Sequence, residues 1–322
     1  MVEKVKKIGS GTFGNVWLVR KDQQLYAMKR VPYDPEKHKI PLEIEVLKQL
    51  DSPYIVKYHD SFIEKSWLCI VMEYCEWGDL QKLIQAQREH GFFTEQQILT
   101  WFTQMCLALQ HMHSKKILHR DLKPQNIFLA SPSHLKIGDF GISRCLDNSF
   151  QMANTSLGTP YYLSPEVCLG QPYDAKSDMW MLGCCLYELV TLQRPFTGSN
   201  LNQIVLNILN KAPDELGGLF GRLISMLLQK NAFARSDTSE ILQVPEIAAT
   251  VKLLHAQTTP QKFKSTKAES NLKNSSILTL IQKAKETNMS PKKPLALQPQ
   301  KAITVFLPEQ IISEESKTIA PI

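Results

Sequence analysis

Residues 119 to 126 read His119-Arg120-Asp121-Leu122-Lys123-Pro124-Gln125-Asn126, and 13 positions after Asn126 stands the triplet Asp139-Phe140-Gly141. No other stretch restricts the fold as strongly, because the chain must gather two acids, an amine and an amide at one place. Moving a phosphoryl group needs such a set: a carboxylate to orient the attacking hydroxyl, a cation for the migrating charge, and two oxygen donors for metal ions. Asp121 is the candidate base, Lys123 the candidate cation for the γ-phosphoryl group, and Asn126 and Asp139 the candidate metal ligands.

Upstream, the first 30 residues alternate in strand fashion: Val5 and Ile8, then Val16-Trp17-Leu18-Val19, then Leu25-Tyr26-Ala27-Met28. The first connection carries Gly9-Ser10-Gly11-Thr12-Phe13-Gly14-Asn15-Val16, where missing Cβ atoms let backbone amides approach phosphate oxygens. A dinucleotide-binding turn uses similar glycines but opens a helix; here strand residues flank both sides. Lys29, 13 residues past Val16, matches a strand lysine that binds α- and β-phosphates. Pro41 to Leu50 has helical spacing, with Pro41 suited to the first turn and Ile44 and Leu47 on the buried stripe. Glu43 on that helix is the natural partner of Lys29, and Glu45 competes with it.

Further strands are expected around Tyr54 to Tyr58, Trp67 to Met72 and Leu135 to Ile137. After Gly78 helical periods dominate: Thr94 to Ser114, with Thr94 and Gln97 as a capping box, then Asp178 to Val190, apolar all round and so buried, then Leu201 to Leu209, Leu219 to Gln229 and Thr238 to Leu242. From about Ala256 the composition turns to Lys, Ser, Thr, Gln and Pro, which predicts disorder, with Ser275 to Lys285 as one short amphipathic candidate.

These motifs together resemble the eukaryotic protein kinase domain, over residues 1 to about 247. Val71-Met72-Glu73-Tyr74-Cys75, Trp101-Phe102-Thr103-Gln104-Met105 and Gly158-Thr159-Pro160-Tyr161-Tyr162-Leu163-Ser164-Pro165-Glu166 resemble the NIMA-related (Nek) serine/threonine branch. The resemblance implies an α/β (α+β) two-lobed fold: an antiparallel-sheet N-lobe with one helix (1–74), a mainly helical C-lobe (75–247), and a basic tail (248–322). It implies protein serine/threonine phosphorylation with ATP and Mg²⁺, Mn²⁺ being the alternative ion. ATP would contact Ile8, Gly9, Ser10, Gly11, Thr12, Phe13, Gly14, Asn15, Val16, Ala27, Lys29, Glu43, Met72, Glu73, Cys75 and Phe128. Met72 would be the gatekeeper, the backbone of Glu73 and Cys75 would hold adenine, and Val16, Ala27 and Phe128 would sandwich it. Leu47, His119 and Phe140 would stack in a spine, Asp178 would anchor the catalytic loop, and Glu166 would pair with Arg235. Thr155 would be the regulatory phosphosite, paired with Arg120, and Thr159 marks the serine/threonine class. The alternatives are another serine/threonine branch or a pseudokinase scaffold.

Three departures stand out. Glu43 follows Lys29 by only 14 positions; Ala234-Arg235-Ser236 keeps the arginine of an Arg-Pro pair without its proline; and 210–218 is a shortened, Gly-containing loop. The seven cysteines are odd in number and scattered, with no C-x-x-C pair, which fits a reduced compartment. The net charge of +6 is concentrated in the tail, where residues 256–322 hold 10 Lys, no Arg and 5 acids. The tail suits protein partners; without arginine or interleaved aromatics, nucleic acid is not expected, and no membrane association is read. No signal peptide or bilayer-length apolar run is visible, so cytoplasmic residence is expected, with the nucleus, microtubules, centrosome and cilium as the alternatives the resemblance adds.

Overall fold

A computed structural model describes residues 2–11, 14–34, 41–139 and 160–258. The glycine-containing start folds into an antiparallel meander, β1 (Glu3–Gly11), β2 (Gly14–Lys21) and β3 (Gln24–Pro32), continued by β4 (Tyr58–Glu64) and β5 (Trp67–Glu73) in the order β1-β2-β3-β5-β4. Gly14 has φ +131, and a Cβ there would lie 1.9 Å from the Arg30 carbonyl oxygen, so only glycine lets β2 pass this close to β3. Helix α1 (Pro41–Lys48) buries Ile44 and Leu47, the stripe expected from its spacing.

Tyr54-Ile55-Val56 is buried but does not begin a strand of this sheet. Ile55 instead forms an isolated parallel bridge with Ile137, and β4 begins at Tyr58. A short apolar run announces burial and leaves open which strand its backbone pairs with. Here Val56 N–H donates to Ile137 O at 2.8 Å and Ile137 N–H to Tyr54 O at 2.9 Å, which stitches the first lobe to the second.

The second lobe is helical: α2 (Leu80–Gln87), α3 (Glu95–Ser114), α4 (Pro165–Cys168), α5 (Ala175–Thr191), α6 (Leu201–Asn210), α7 (Gly218–Leu227), α8 (Thr238–Leu242) and α9 (Pro245–Thr258). Asp79 caps α2, and Thr94 with Gln97 closes the expected capping box on α3. A two-stranded ribbon, β6 (Ile127–Ser131) and β7 (His134–Ile137), lies between α3 and α4 in sequence. Only β7 was legible from spacing, since β6 follows directly on the polar 119–126 segment. Gln104 from α3 clamps the ribbon, donating to Ser133 O at 2.9 Å and accepting from Leu135 N–H at 2.7 Å.

Helix α5 is the axis of the lobe. Met179, Trp180, Leu182, Cys184, Cys185, Leu186 and Leu189 have no exposed surface, each apolar side chain contributing about 1.5–3 kcal/mol relative to exposure. A Cβ on Gly183 would come within 2.8 Å of Leu227 and Leu228, so α7 crosses α5 at this residue. The boundary expected at 247 falls inside α9, where Ile247, Thr250 and Leu254 are buried. Mixed composition hid this packed face. The remaining tail, including 275–285, lies outside the described residues.

Arg235 is fully buried and forms a fork with Glu166, its two terminal nitrogens 2.8 and 2.9 Å from the carboxylate oxygens. Its guanidinium also lies 5.2 Å from the centre of Trp180 on α5. Burial alone would push the Glu166 carboxyl up, but hydrogen bonds from Arg235 and Ser177 outweigh it and hold the pKa at about 2. The contribution is therefore complete above the ordinary value of 4.5 and fades as pH falls toward about 2. Arg235→Leu strands the acid, and chemical denaturation at neutral pH should show a loss of about 3–5 kcal/mol. An unchanged midpoint would remove the pair from the lobe's stabilising contacts.

Candidate active site

Asp178 on α5 holds the loop that contains Asp121. Its carboxylate has no exposed surface and accepts from His119 N–H at 3.0 Å, Arg120 N–H at 3.1 Å, the Tyr173 hydroxyl, and His113 Nε2 at 2.8 Å. Burial alone would raise this carboxyl, but the His113 hydrogen bond and the neighbouring histidine and tyrosine groups hold it below its ordinary value. Arg120 adopts φ 67, a left-handed conformation that costs a non-glycine residue free energy, and the anchoring of its N–H helps to hold it.

His119 adds a second brace. Its Nε2 lies 3.2 Å from Gly138 O and its Nδ1 lies 3.2 Å from Asp121 N. The neutral tautomer with the proton on Nε2 satisfies both bonds, donating to the carbonyl and accepting from the amide. Burial lowers the His119 pKa in the same sense. The side chain thus ties the start of the 119–126 loop to the residue before Asp139.

The loop closes on itself around Asp121. Lys123 Nζ is 2.8 Å from Asp121 Oδ2, and Asn126 Nδ2 donates to the same oxygen at 2.9 Å and to Asp121 O at 2.8 Å. Gly138 N–H donates to Asn126 O at 2.9 Å, bringing the second metal-ligand candidate beside the first. A Cβ on Gly138 would lie 2.7 Å from Val56 and 3.1 Å from the Phe128 ring, so glycine is required where the ribbon meets the first lobe. Asp139 has φ 52, and its carboxylate pairs with the buried ammonium of Lys29 on β3.

The glycine turn and the sheet lie on the other side of that pair. Gly9, Ser10 and Gly11 pair with Val16, Asn15 and Gly14, and Ser10 Oγ donates to Asn15 Oδ1 at 3.1 Å. Ile8 is on the exposed side of β1. Val16 is paired with Lys29, and Ala27 with Met72, so the strand pairings bring these candidates into one sheet. Met72 and Glu73 end β5, Cys75 follows, and Phe128 is bridged to Asp79 beyond it. Burial pushes the Cys75 thiol up to about 12, leaving it protonated at neutral pH.

Thr12, Phe13, Phe140, Thr155 and Thr159 lie outside the described residues, as does the Glu43 side chain. Glu45, the rival partner for Lys29, pairs instead with Lys48 at 2.7 Å on an exposed face. Two contacts had no local signal in the sequence. His113 reaches Asp178 across 65 positions, and Glu73 is held by Lys136 Nζ at 2.8 Å across 63. Both partners look like ordinary polar residues until α3 and β7 are placed beside them.

The donor set suits a hard divalent cation: one amide side chain and one carboxylate, leaving coordination places for phosphate and water oxygens. Asn126 spends its nitrogen on Asp121, which leaves its side-chain oxygen oriented as the donor. No cluster of three or more acidic, His or Cys side chains that could cage an ion by itself occurs among the described residues.

Residues 2–283 match the protein kinase domain family. The chain is 42% identical over 271 residues to serine/threonine-protein kinase Nek1 of Mus musculus, covering 81% of this chain and 22% of that protein. It is 45% identical over 252 residues to Nek5 of Homo sapiens, covering 75% and 36%. It is 40% identical over 272 residues to nekl-2 of Caenorhabditis elegans, covering 79% and 76%. The aligned region spans well under half the length of the first two relatives and three quarters of the third.

His113→Phe removes a donor to the buried Asp178 carboxylate and should cost about 1.5–3 kcal/mol in denaturant titrations, with His113→Gln recovering part of it. His119 supplies a separate pH signature. Its folded pKa is lowered, so its contribution is complete above the ordinary 6.5 and declines as pH falls below that value. Denaturation between pH 7.5 and 5 should show this decline in the wild type and a weaker one in His119→Phe.

Proposed function

Because the chain belongs to the protein kinase domain family and, within it, to the Nek serine/threonine kinases, we propose that it transfers the γ-phosphoryl group of ATP to serine and threonine hydroxyls of proteins. One observation carries the reading: Asp121, Lys123 and Asn126 form a single hydrogen-bonded loop next to the Lys29–Asp139 pair. These are the four kinds of group that phosphoryl transfer uses, gathered from distant parts of the chain.

Each residue has a role that follows from its surroundings. Asp121 orients the acceptor hydroxyl and receives its proton as the new phosphate ester forms. Lys123, already beside that carboxylate, offsets negative charge on the migrating group. Asn126 and Asp139 would hold Mg²⁺, with Mn²⁺ as the substitute, and the ion supplies charge neutralisation for the phosphate oxygens. Lys29 would turn its ammonium from Asp139 toward the α- and β-phosphates, and the glycine-containing β1–β2 hairpin would cover them with backbone amides.

Thr155 is the proposed control point. A phosphate there would add acceptors that Arg120 can meet with charge-assisted hydrogen bonds. Protein partners through the tail, and residence in the cytoplasm, the nucleus or on microtubule-based structures, belong to the same proposal. No helix among the described residues is long and apolar enough to cross a membrane.

Wild-type protein incubated with labelled ATP, Mg²⁺ and a generic acceptor protein should incorporate phosphate. Asp121→Asn should lower kcat by about 10²–10⁴-fold, since the proton then lacks a receiving carboxylate. Equal background rates for both would assign the chain to a non-catalytic scaffold. Thr155→Ala should also turn over well below wild type, and an equally active, fully dephosphorylated wild-type preparation would refute control at that residue.

A further inference from the structure

A groove of about 820 Å³ runs between α2, the turn after α5 and the turn after α6. Its charged lining residues are Arg88, Arg194, Lys211 and Asp214, three cations against one carboxylate. The 255 residues ahead of the tail carry only about +1 in all, so this surface concentrates positive charge that the domain as a whole lacks.

Two contacts join the groove to the catalytic loop and the acceptor side. Gln81, on its wall, accepts from Gln125 Nε2 at 3.0 Å, and Gln125 lies four residues after Asp121. On the other side the Arg194 guanidinium covers the Tyr161 ring at 4.0 Å, two residues past Thr159.

We propose that this groove docks a carboxylate-rich segment of the protein substrate, distinct from the residue that carries the acceptor hydroxyl. The proposal rests on the kinase reading above and adds the class of protein that the site selects. An acidic run captured between Arg88 and Lys211 raises the local concentration of the acceptor at Asp121. It therefore acts on KM and on association, and fades as salt screens the charges.

The test uses full-length protein, a short serine/threonine acceptor peptide, and the same peptide joined by a Gly-Ser linker to a run of Asp and Glu. At low salt the acidic extension should raise kcat/KM about 10-fold through KM, and the gain should vanish at high salt. Gln85 of α2 also lines the groove, and in the double variant Gln85→Glu, Lys211→Glu, which sets a carboxylate on each wall, the extension should give no gain while the short peptide is phosphorylated as by wild type. Absence of a gain in the wild type, or a gain that survives in the variant, overturns the proposal.

Binding of the labelled acidic run alone, followed by fluorescence anisotropy, decides the docking claim independently of turnover. Salt-sensitive binding to wild type and not to the variant supports it even where no phosphate moves, a result that would count against the kinase reading only. Equal binding to both proteins overturns it. So does binding that emerges only after deletion of 304–322, which holds Glu309, Glu314 and Glu315, because the occupant would then be the chain's own acidic end.

Discussion

The buried carboxylate of Asp178 is the constraint on which the site depends. An ionised acid without solvent contact is tolerated only when donors surround it, and here the donors include the backbone N–H groups of His119 and Arg120. The same hydrogen bonds that stabilise the charge fix the 119–120 backbone against α5. Asp121 is the next residue along. Helix α5, with its apolar surface buried on all sides, gives the anchor a rigid base, and the Glu166–Arg235 fork joins α4 to the segment ahead of α8, with Ser177 of α5 donating to Glu166.

The two lobes meet through backbone pairing as well as through a shared apolar core that includes Ile44, Leu47 and Ile70 of the first lobe with Leu80 and Trp101 of the second. Tyr54 to Val56 joins Ile137, the segment after β5 joins β6 through the Asp79–Phe128 bridge, and Lys136 reaches Glu73. Gly138 stands at the closest approach, against Val56 and Phe128. The candidate nucleotide contacts on the sheet and the candidate metal ligands on the loops are thereby brought together by a small ribbon. That ribbon, β6 with β7, was only half visible in the sequence, because β6 has no polar alternation to mark it.

Local chemistry was the most legible part. The capping box at Thr94, a helix expected over Asp178 to Val190 and found over Ala175–Thr191, and the Glu166–Arg235 pairing follow from residue types at fixed offsets or from the resemblance those offsets carry. In place of the strand expected near Tyr54 the chain makes a single bridge from Ile55 to Ile137, because burial and pairing partner are separate properties and a short apolar run carries only the first. The folded unit extends past the boundary expected at 247 because α9 buries Ile247, Thr250 and Leu254 from a stretch of mixed composition. In both cases the missing information was the identity of the packing surface.

The order His119 to Asn126 and Asp139, the glycines ahead of Lys29, and the helical periods of the second lobe already determined which candidate groups the chain offers to a phosphate and where most of the second-lobe helices lie. They did so because side-chain chemistry and backbone periodicity are local properties. Only the tertiary structure decided that Asp139 meets Lys29, that His113 completes the shell around Asp178, and that Arg88, Arg194 and Lys211 share one groove. Those contacts join residues far apart along the chain, and what brings them together is the burial of α5 and the register of the sheet, which no short window of sequence contains.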